Sequence, residues 1–164
     1  MKLSEPRKER ELNGNVFYIR PFPAFTSVNL SGEVFSFIMP ILSAILPAVA
    51  ASSDKEESSV LDIGAEVAAP ALAKGASSVS GDKVELLLKK LLIKYKNIAV
   101  QLEGKDDAEP LTEDLANNIF AGDVQDMFIL AYDVIQVNFE GFFKKVGDQF
   151  GSRLKAITEN MKMS

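Results

Sequence analysis

The segment from Gly75 to Lys83 is the first candidate for chemistry, because a glycine- and serine-rich stretch before a helical pattern is typical of phosphate-binding loops. Its two glycines stand one residue too far apart for such a loop. Asp82 occupies the place where the loop needs its lysine, and a carboxylate there would repel phosphate. We therefore predict a helix start instead, in which Ser80 or Asp82 bonds the first free backbone amides.

Acidic residues form the second candidate group. Asp106, Asp107 and Glu109 are followed closely by Glu113 and Asp114. Neighbouring carboxylates can bind a hard cation or act as an acid–base pair. This group, however, lacks the order of a calcium loop, which has alternating ligands, a central glycine and a distal glutamate. A solvated loop and a helix start explain the acids at least as well, so we predict no catalytic residue, no metal and no cofactor.

The residue types that are missing exclude several classes of enzyme. The 164 residues include no His, Cys or Trp, which excludes a Ser-His-Asp triad, a cysteine nucleophile and a Cys/His zinc site. Without cysteine there is no disulfide framework, and because the N-terminus shows no signal-peptide pattern we expect an intracellular protein. The net charge of -5 also argues against nucleic acid as the main partner.

Length and composition favour one compact domain, since 47% of the residues are apolar. We predict a flexible N-terminal arm over residues 1–9 and a single α+β domain over 10–150. Polar loops are expected at 52–59 and 103–110, and a polar C-terminal tail at 151–164.

The predicted sheet is small and antiparallel. Asn13-Gly14 stands before the β-branched and aromatic run that ends at Ile19, which is a strong hairpin signal. Both turn residues tolerate positive φ. Farther along the chain, apolar and polar residues alternate near 96–102, which predicts a third strand. The fold class is therefore α+β, mostly helical, with an N-terminal hairpin and one additional strand.

Helical patterns fill most of the remaining chain. Between residues 24 and 51 the composition is apolar, but Pro40 and Pro47 predict a kinked helix or separate pieces. Four further helices are expected, around residues 60–74, 82–92, 112–121 and 124–139.

Two of these helices have informative patterns. The helix at 82–92 is amphipathic, with its apolar residues at i, i+3, i+4, i+7 and i+8. The helix at 124–139 is apolar on nearly all sides, which predicts burial from several directions. The apolar positions of the helix at 82–92 are Val84, Leu87, Leu88, Leu91 and Leu92.

The segment 34–53 supports a different hypothesis. It contains no charged residue, and a stretch of about 20 residues is long enough to span a bilayer. Basic residues precede it and acids follow it, as in a membrane protein with its N-terminus inside. Pro40, Pro47 and several serines make it only moderately hydrophobic, so a helix buried in the core explains the same residues.

Three apolar blocks, around residues 34–51, 84–92 and 124–143, compete for one small core. If they do not all fit, the surplus forms a patch of the kind that binds another protein. The predicted partner-binding residues belong to the third block, although the same residues are also the best core candidates. They are Phe128, Tyr132, Ile135, Phe139, Phe142 and Phe143.

Several stretches of the chain resemble tail assembly chaperones of long-tailed bacteriophages and prophages. The likeness spans most of residues 10–150. It is carried by Arg10-Glu11-Leu12-Asn13-Gly14, Phe17-Tyr18-Ile19-Arg20-Pro21-Phe22-Pro23, Asn29-Leu30-Ser31-Gly32-Glu33, Leu111-Thr112-Glu113-Asp114-Leu115, and Phe120-Ala121-Gly122-Asp123-Val124-Gln125-Asp126 through Val137-Asn138-Phe139.

The resemblance implies a non-enzymatic protein of the host cytoplasm that is absent from the mature virion. Its implied partner is the tape-measure protein, with tail-tube subunits as a second candidate. The chaperone keeps its partner soluble until the tail tube polymerises and then leaves. A helix-in-groove surface rimmed by acids would shield the apolar stripes of a tape measure. The alternative remains a phage membrane protein that spans the bilayer through residues 34–53, and self-association is left open.

Overall fold

A computed structural model describes residues 5–52, 65–77 and 79–141 of the chain, and for residues 39–52, 65–68, 71 and 72 it describes the backbone alone. The described part contains four strands and five α-helices. The strands are β1 (Lys8–Leu12), β2 (Asn15–Ile19), β3 (Ile98–Gln101) and β4 (Ala108–Pro110). The helices are α1 (Ala24–Ser52), α2 (Ala65–Ala76), α3 (Gly81–Lys89), α4 (Glu113–Ile119) and α5 (124–141), and α3 continues into a π-helical turn at Lys90–Lys94.

The predicted hairpin and third strand are confirmed. β1 and β2 pair antiparallel around the turn at Asn13 and Gly14, whose φ angles of 53° and 83° are both positive. The Asn-Gly pair adopts these angles at low cost, and so it sets the register of the hairpin. β3 then pairs antiparallel with the free edge of β2. The result is one antiparallel sheet in the order β1-β2-β3-β4.

The sheet extends farther than the sequence predicted, at both edges. Lys8 and Glu9, which were expected in the flexible arm, pair with Ile19 and Tyr18. At the other edge β4 forms from residues 108–110, the end of the segment predicted to be a polar loop, and pairs with β3. β4 lacks β-branched residues, and so its strand conformation follows from pairing with β3 and not from its own propensity.

The core lies against one face of the sheet. Phe17, Ile19, Ile98 and Val100 alternate along β2 and β3 and are at most 1% exposed. The ring of Phe17 stacks on Phe120, with 5.7 Å between the ring centroids. The helices supply the rest of this core, so the architecture is the predicted α+β domain.

The helices follow the predictions except in detail. The sequence predicted a kinked helix or separate pieces between residues 24 and 51. α1 is one continuous helix through positions 40 and 47, so the second of these alternatives was wrong. α4 begins as expected, because the Thr112 hydroxyl accepts a hydrogen bond from the amide of Leu115 at 3.2 Å. Ser80 is the N-cap of α3 by its backbone angles, but its side chain makes no capping hydrogen bond.

Several predictions lie partly or wholly outside the described residues. The polar loop at 52–59 and the tail at 151–164 are such segments, apart from Ser52 at the end of α1. The side chains of the proposed bilayer span, 34–53, are described only as far as Ile38. Among the residues that the structure describes, no helix has both the length and the apolar character needed to cross a membrane.

Candidate functional site

The predicted partner-binding residues of α5 are placed in the core, as far as they are described. Phe128, Tyr132, Ile135 and Phe139 are between 2% and 7% exposed. Phe142 and Phe143 lie outside the described residues. The expectation that α5 is buried from several sides is confirmed, because residues 128–135 are all buried. As a surface for a partner, the set stays a prediction, and it would require α5 to move.

Polar contacts hold α5 in place at three points along its length. Near its start, Asn13 donates a hydrogen bond to Asp126 at 2.7 Å. In the middle, Asp133 is fully buried and pairs with two cations of β1. Near its end, the backbone amide of Phe22 donates to Asn138 at 2.7 Å. Because these contacts tie α5 to the hairpin and the chain after it, they keep the aromatic face of α5 inside the protein.

Of the three contacts, the one at Asp133 is the most costly to form, because it buries a charged side chain completely. Arg10 binds both carboxylate oxygens, through Nε at 2.5 Å and Nη2 at 2.8 Å. Lys8 Nζ lies 2.7 Å from Oδ1 and also donates to Gln136 at 2.6 Å. A buried carboxylate is costly unless charged donors surround it in this way.

An apolar groove lies on the helical side of the domain and has a cavity volume of about 540 Å³. Its walls come from α3 and α4, and α2, α5 and the π-helical turn complete it. The apolar residues that line it are Ala76, Val84, Leu88, Leu92, Ile93, Ala116 and Met127.

Part of the groove lining remains accessible to solvent. Leu92 and Ala116 are buried, whereas Val84, Leu88 and Met127 are only half-buried. The amphipathic stripe of α3 is therefore wider than the core requires, and its excess lines the groove. This accessible apolar surface lies on α3 and not on the aromatic face of α5, where the sequence predicted the partner-binding residues.

Charged side chains join the two walls of the groove. Lys89 of α3 lies 2.7 Å from Glu85 on the same helix and 3.0 Å from Glu113 on α4. The hydrogen bond and charge of Lys89 lower the pKa of the Glu85 carboxyl, and the hydrogen bonds to Glu85 and Glu113 raise the pKa of Lys89. Both carboxylates are more than half exposed, so they remain accessible to a partner.

Four large apolar side chains elsewhere in the described residues are also exposed. Phe25 and Val28, one turn apart in α1, are 90% and 70% exposed, and Leu86 and Val124 are just over half exposed. Leu86 belongs to α3 but does not line the groove. These four side chains add exposed apolar surface outside the groove.

The acidic residues between 106 and 114 are not gathered into one cluster. In the part of the chain that the structure describes, no group of three or more acidic side chains lies close enough to hold a metal ion. Asp106 and Asp107 are exposed, as expected of a solvated loop. Glu109 is also exposed but belongs to β4, and Glu113 contributes to the rim of the groove.

Comparison with known proteins identifies the family of the chain. No curated protein and no solved structure matches the chain. A family model described as "Phage tail assembly chaperone protein, TAC" matches residues 13–151, which is most of the sequence. The match covers the turn and second strand of the hairpin and the helices that form the groove, and it confirms the resemblance noted in the sequence. The chain therefore belongs to the phage tail assembly chaperone family.

Proposed function

We propose that this chaperone binds the tape-measure protein transiently and keeps it soluble until the tail tube polymerises. Tail-tube subunits are a second candidate partner. The role is non-enzymatic, takes place in the host cytoplasm and leaves the protein outside the mature virion. The observation that supports this proposal best is a half-buried apolar groove in a member of a tail assembly chaperone family.

The groove suits a helical partner. A tape measure, as the family resemblance implies, is a long helical chain with exposed apolar stripes. A helix that lays such a stripe into an apolar groove places side chains at i, i+3, i+4 and i+7 against the walls. Covering the stripe removes the surface through which tape-measure chains would aggregate.

The groove is also a more accessible surface than the aromatic residues of α5. Binding at Phe128, Tyr132 or Phe139 would require breaking the buried contact between Asp133 and Arg10. Binding at Val84 and Leu88 requires no such step, because these side chains already contact solvent. A transient binder benefits from a surface that is formed before the partner arrives.

The membrane hypothesis is not favoured. Val34 and Ile38, at the start of the segment 34–53, are buried in the protein core together with Leu30. Glu33, beside them on α1, pairs with Lys90 at 2.8 Å. These contacts place the first part of the segment against other elements of the same domain.

Co-expression tests the proposed function. The tape-measure gene of the same genome is expressed in bacteria with or without this chain, and soluble and pelleted tape measure are compared after lysis. We expect the chain to move most of the tape measure into the soluble fraction and to elute with it in size-exclusion chromatography. The proposal is wrong if the tape measure stays in the pellet although the chain is abundant and folded.

A further inference from the structure

The rim of the groove has an excess of negative charge. Glu85 and Glu113 approach from opposite walls and share Lys89 between them. Lys89 is the only cation among the described residues that line the groove, so one carboxylate charge there is not neutralised. Of the helices that form the walls, α4 adds a further acid, Asp114, in its first turn, whereas in α3 Asp82 is followed directly by Lys83.

The two rim carboxylates can accept a second cation. Glu85 and Glu113 are 62% and 55% exposed, so part of their surface is accessible to a partner. A lysine or arginine arriving on a partner would find acceptor oxygens on both walls, beside the half-buried Val84 and Leu88. Charge-assisted hydrogen bonds of this kind are stronger than neutral ones.

We propose that the groove selects a basic amphipathic helix, in which a lysine or arginine flanks the apolar stripe. The stripe packs on Val84, Leu88 and Met127, and the cation pairs with Glu85 and Glu113. This inference rests on the proposed function, since it takes the helix to be a segment of the tape-measure protein. To the proposed function it adds the place where the tape-measure segment binds and the sign of the charge on that segment.

The acidic rim also bears on which of several possible occupants binds in the groove. A second copy of the chain would bring the same excess carboxylate charge at its own rim, and the two like charges would repel one another. Residues 142–164 of the chain itself contain more lysine and arginine than acid, so their charge is also compatible with the rim. The experiment must therefore distinguish a helix of the tape-measure protein from residues 142–164 of the chain.

Two labelled synthetic peptides of about 20 residues test the charge preference. They have the same leucine stripe, flanked by lysine in one and by glutamate in the other, and their binding to the full-length chain is measured by fluorescence anisotropy. We expect the lysine peptide to bind about tenfold more tightly at low salt. This preference should shrink at about 0.5 M NaCl, because salt screens exposed charges.

Matched variants test which residues of the chain cause the preference for the lysine peptide. Glu85→Gln together with Glu113→Gln should reduce it to about threefold or less. The control pair, Asp107→Asn together with Glu109→Gln, removes the same charge from exposed positions that do not line the groove, and it should leave the preference unchanged. The inference is overturned if both peptides bind equally, or if the control pair abolishes the preference as well.

A photo-crosslinker at position 127 identifies the occupant. With the tape measure present, p-benzoylphenylalanine in place of Met127 should cross-link to it. Cross-links confined to residues 142–164 or to a second copy would overturn the choice of occupant. If co-expression solubilises the tape measure but the peptides show no charge preference, this inference fails and the proposed function stands. If the lysine peptide is preferred but the tape measure stays insoluble, the proposed function fails.

Discussion

Replacing Arg10 by methionine is expected to lower the free energy of unfolding by about 3 kcal/mol. The variant keeps the aliphatic part of the side chain but leaves one oxygen of the fully buried Asp133 without its charged donor. Lys8 still binds the other oxygen, so the loss is expected at the lower end of the range for broken buried ion pairs. Urea unfolding, followed by circular dichroism, measures the difference.

The exposed pair between Lys90 and Glu33 provides the control. Lys90→Met removes one partner of an ion pair whose carboxylate is 46% exposed, and it should cost less than about 1 kcal/mol. Adding Asp133→Leu to the Arg10 variant should recover part of the loss, because no buried charge then remains beside Lys8. If Arg10→Met costs no more than Lys90→Met, then the contact at Asp133 does not hold α5 to the hairpin.

Filling the groove should abolish the chaperone activity. Asn117 is an exposed residue of α4 that lines the groove, so in Asn117→Trp the indole would occupy the space proposed for the partner helix. We expect the tape measure to stay in the pellet on co-expression. For a peptide that the wild-type chain binds, we expect a loss of affinity of about tenfold or more.

The neighbouring residue offers a matched control. Asn118 is also exposed on α4 but does not line the groove, so Asn118→Trp introduces the same side chain at a different face. It should solubilise the tape measure as well as the wild-type chain does. Thermal unfolding of both variants verifies that they fold. Equal activity of the two tryptophan variants would mean that the partner binds elsewhere.

The elements that the sequence predicts correctly depend on neighbouring residues. The hairpin requires only Asn13-Gly14 and the strands beside it, and the start of α4 requires only Thr112 and the amide of Leu115. β4 is different, since its three residues lack strand propensity and pair only because β3 offers a free edge. α1 likewise continues past the position of Pro40, where the local rule predicts a kink or a break.

The groove could be foreseen only as a surplus of apolar surface. The stripe containing Val84 and Leu88 is visible in the sequence, but its other wall comes from Ala116 and Met127, which are distant in the chain. Periodicity identifies which residues share a helix face, but it does not tell which face the other helices will cover. For the same reason the aromatic pattern of α5 predicted burial and a partner surface equally well.

Hydrogen–deuterium exchange with and without bound tape measure tests most directly where the chaperone holds its partner. The account predicts slower exchange on binding in the backbone amides of 81–94 and 113–119, which form the walls of the groove, and unchanged exchange in 128–139 of α5. Unchanged exchange in both walls, together with faster exchange in 128–139, would contradict it, because the partner would then bind the aromatic face of α5 after opening the core.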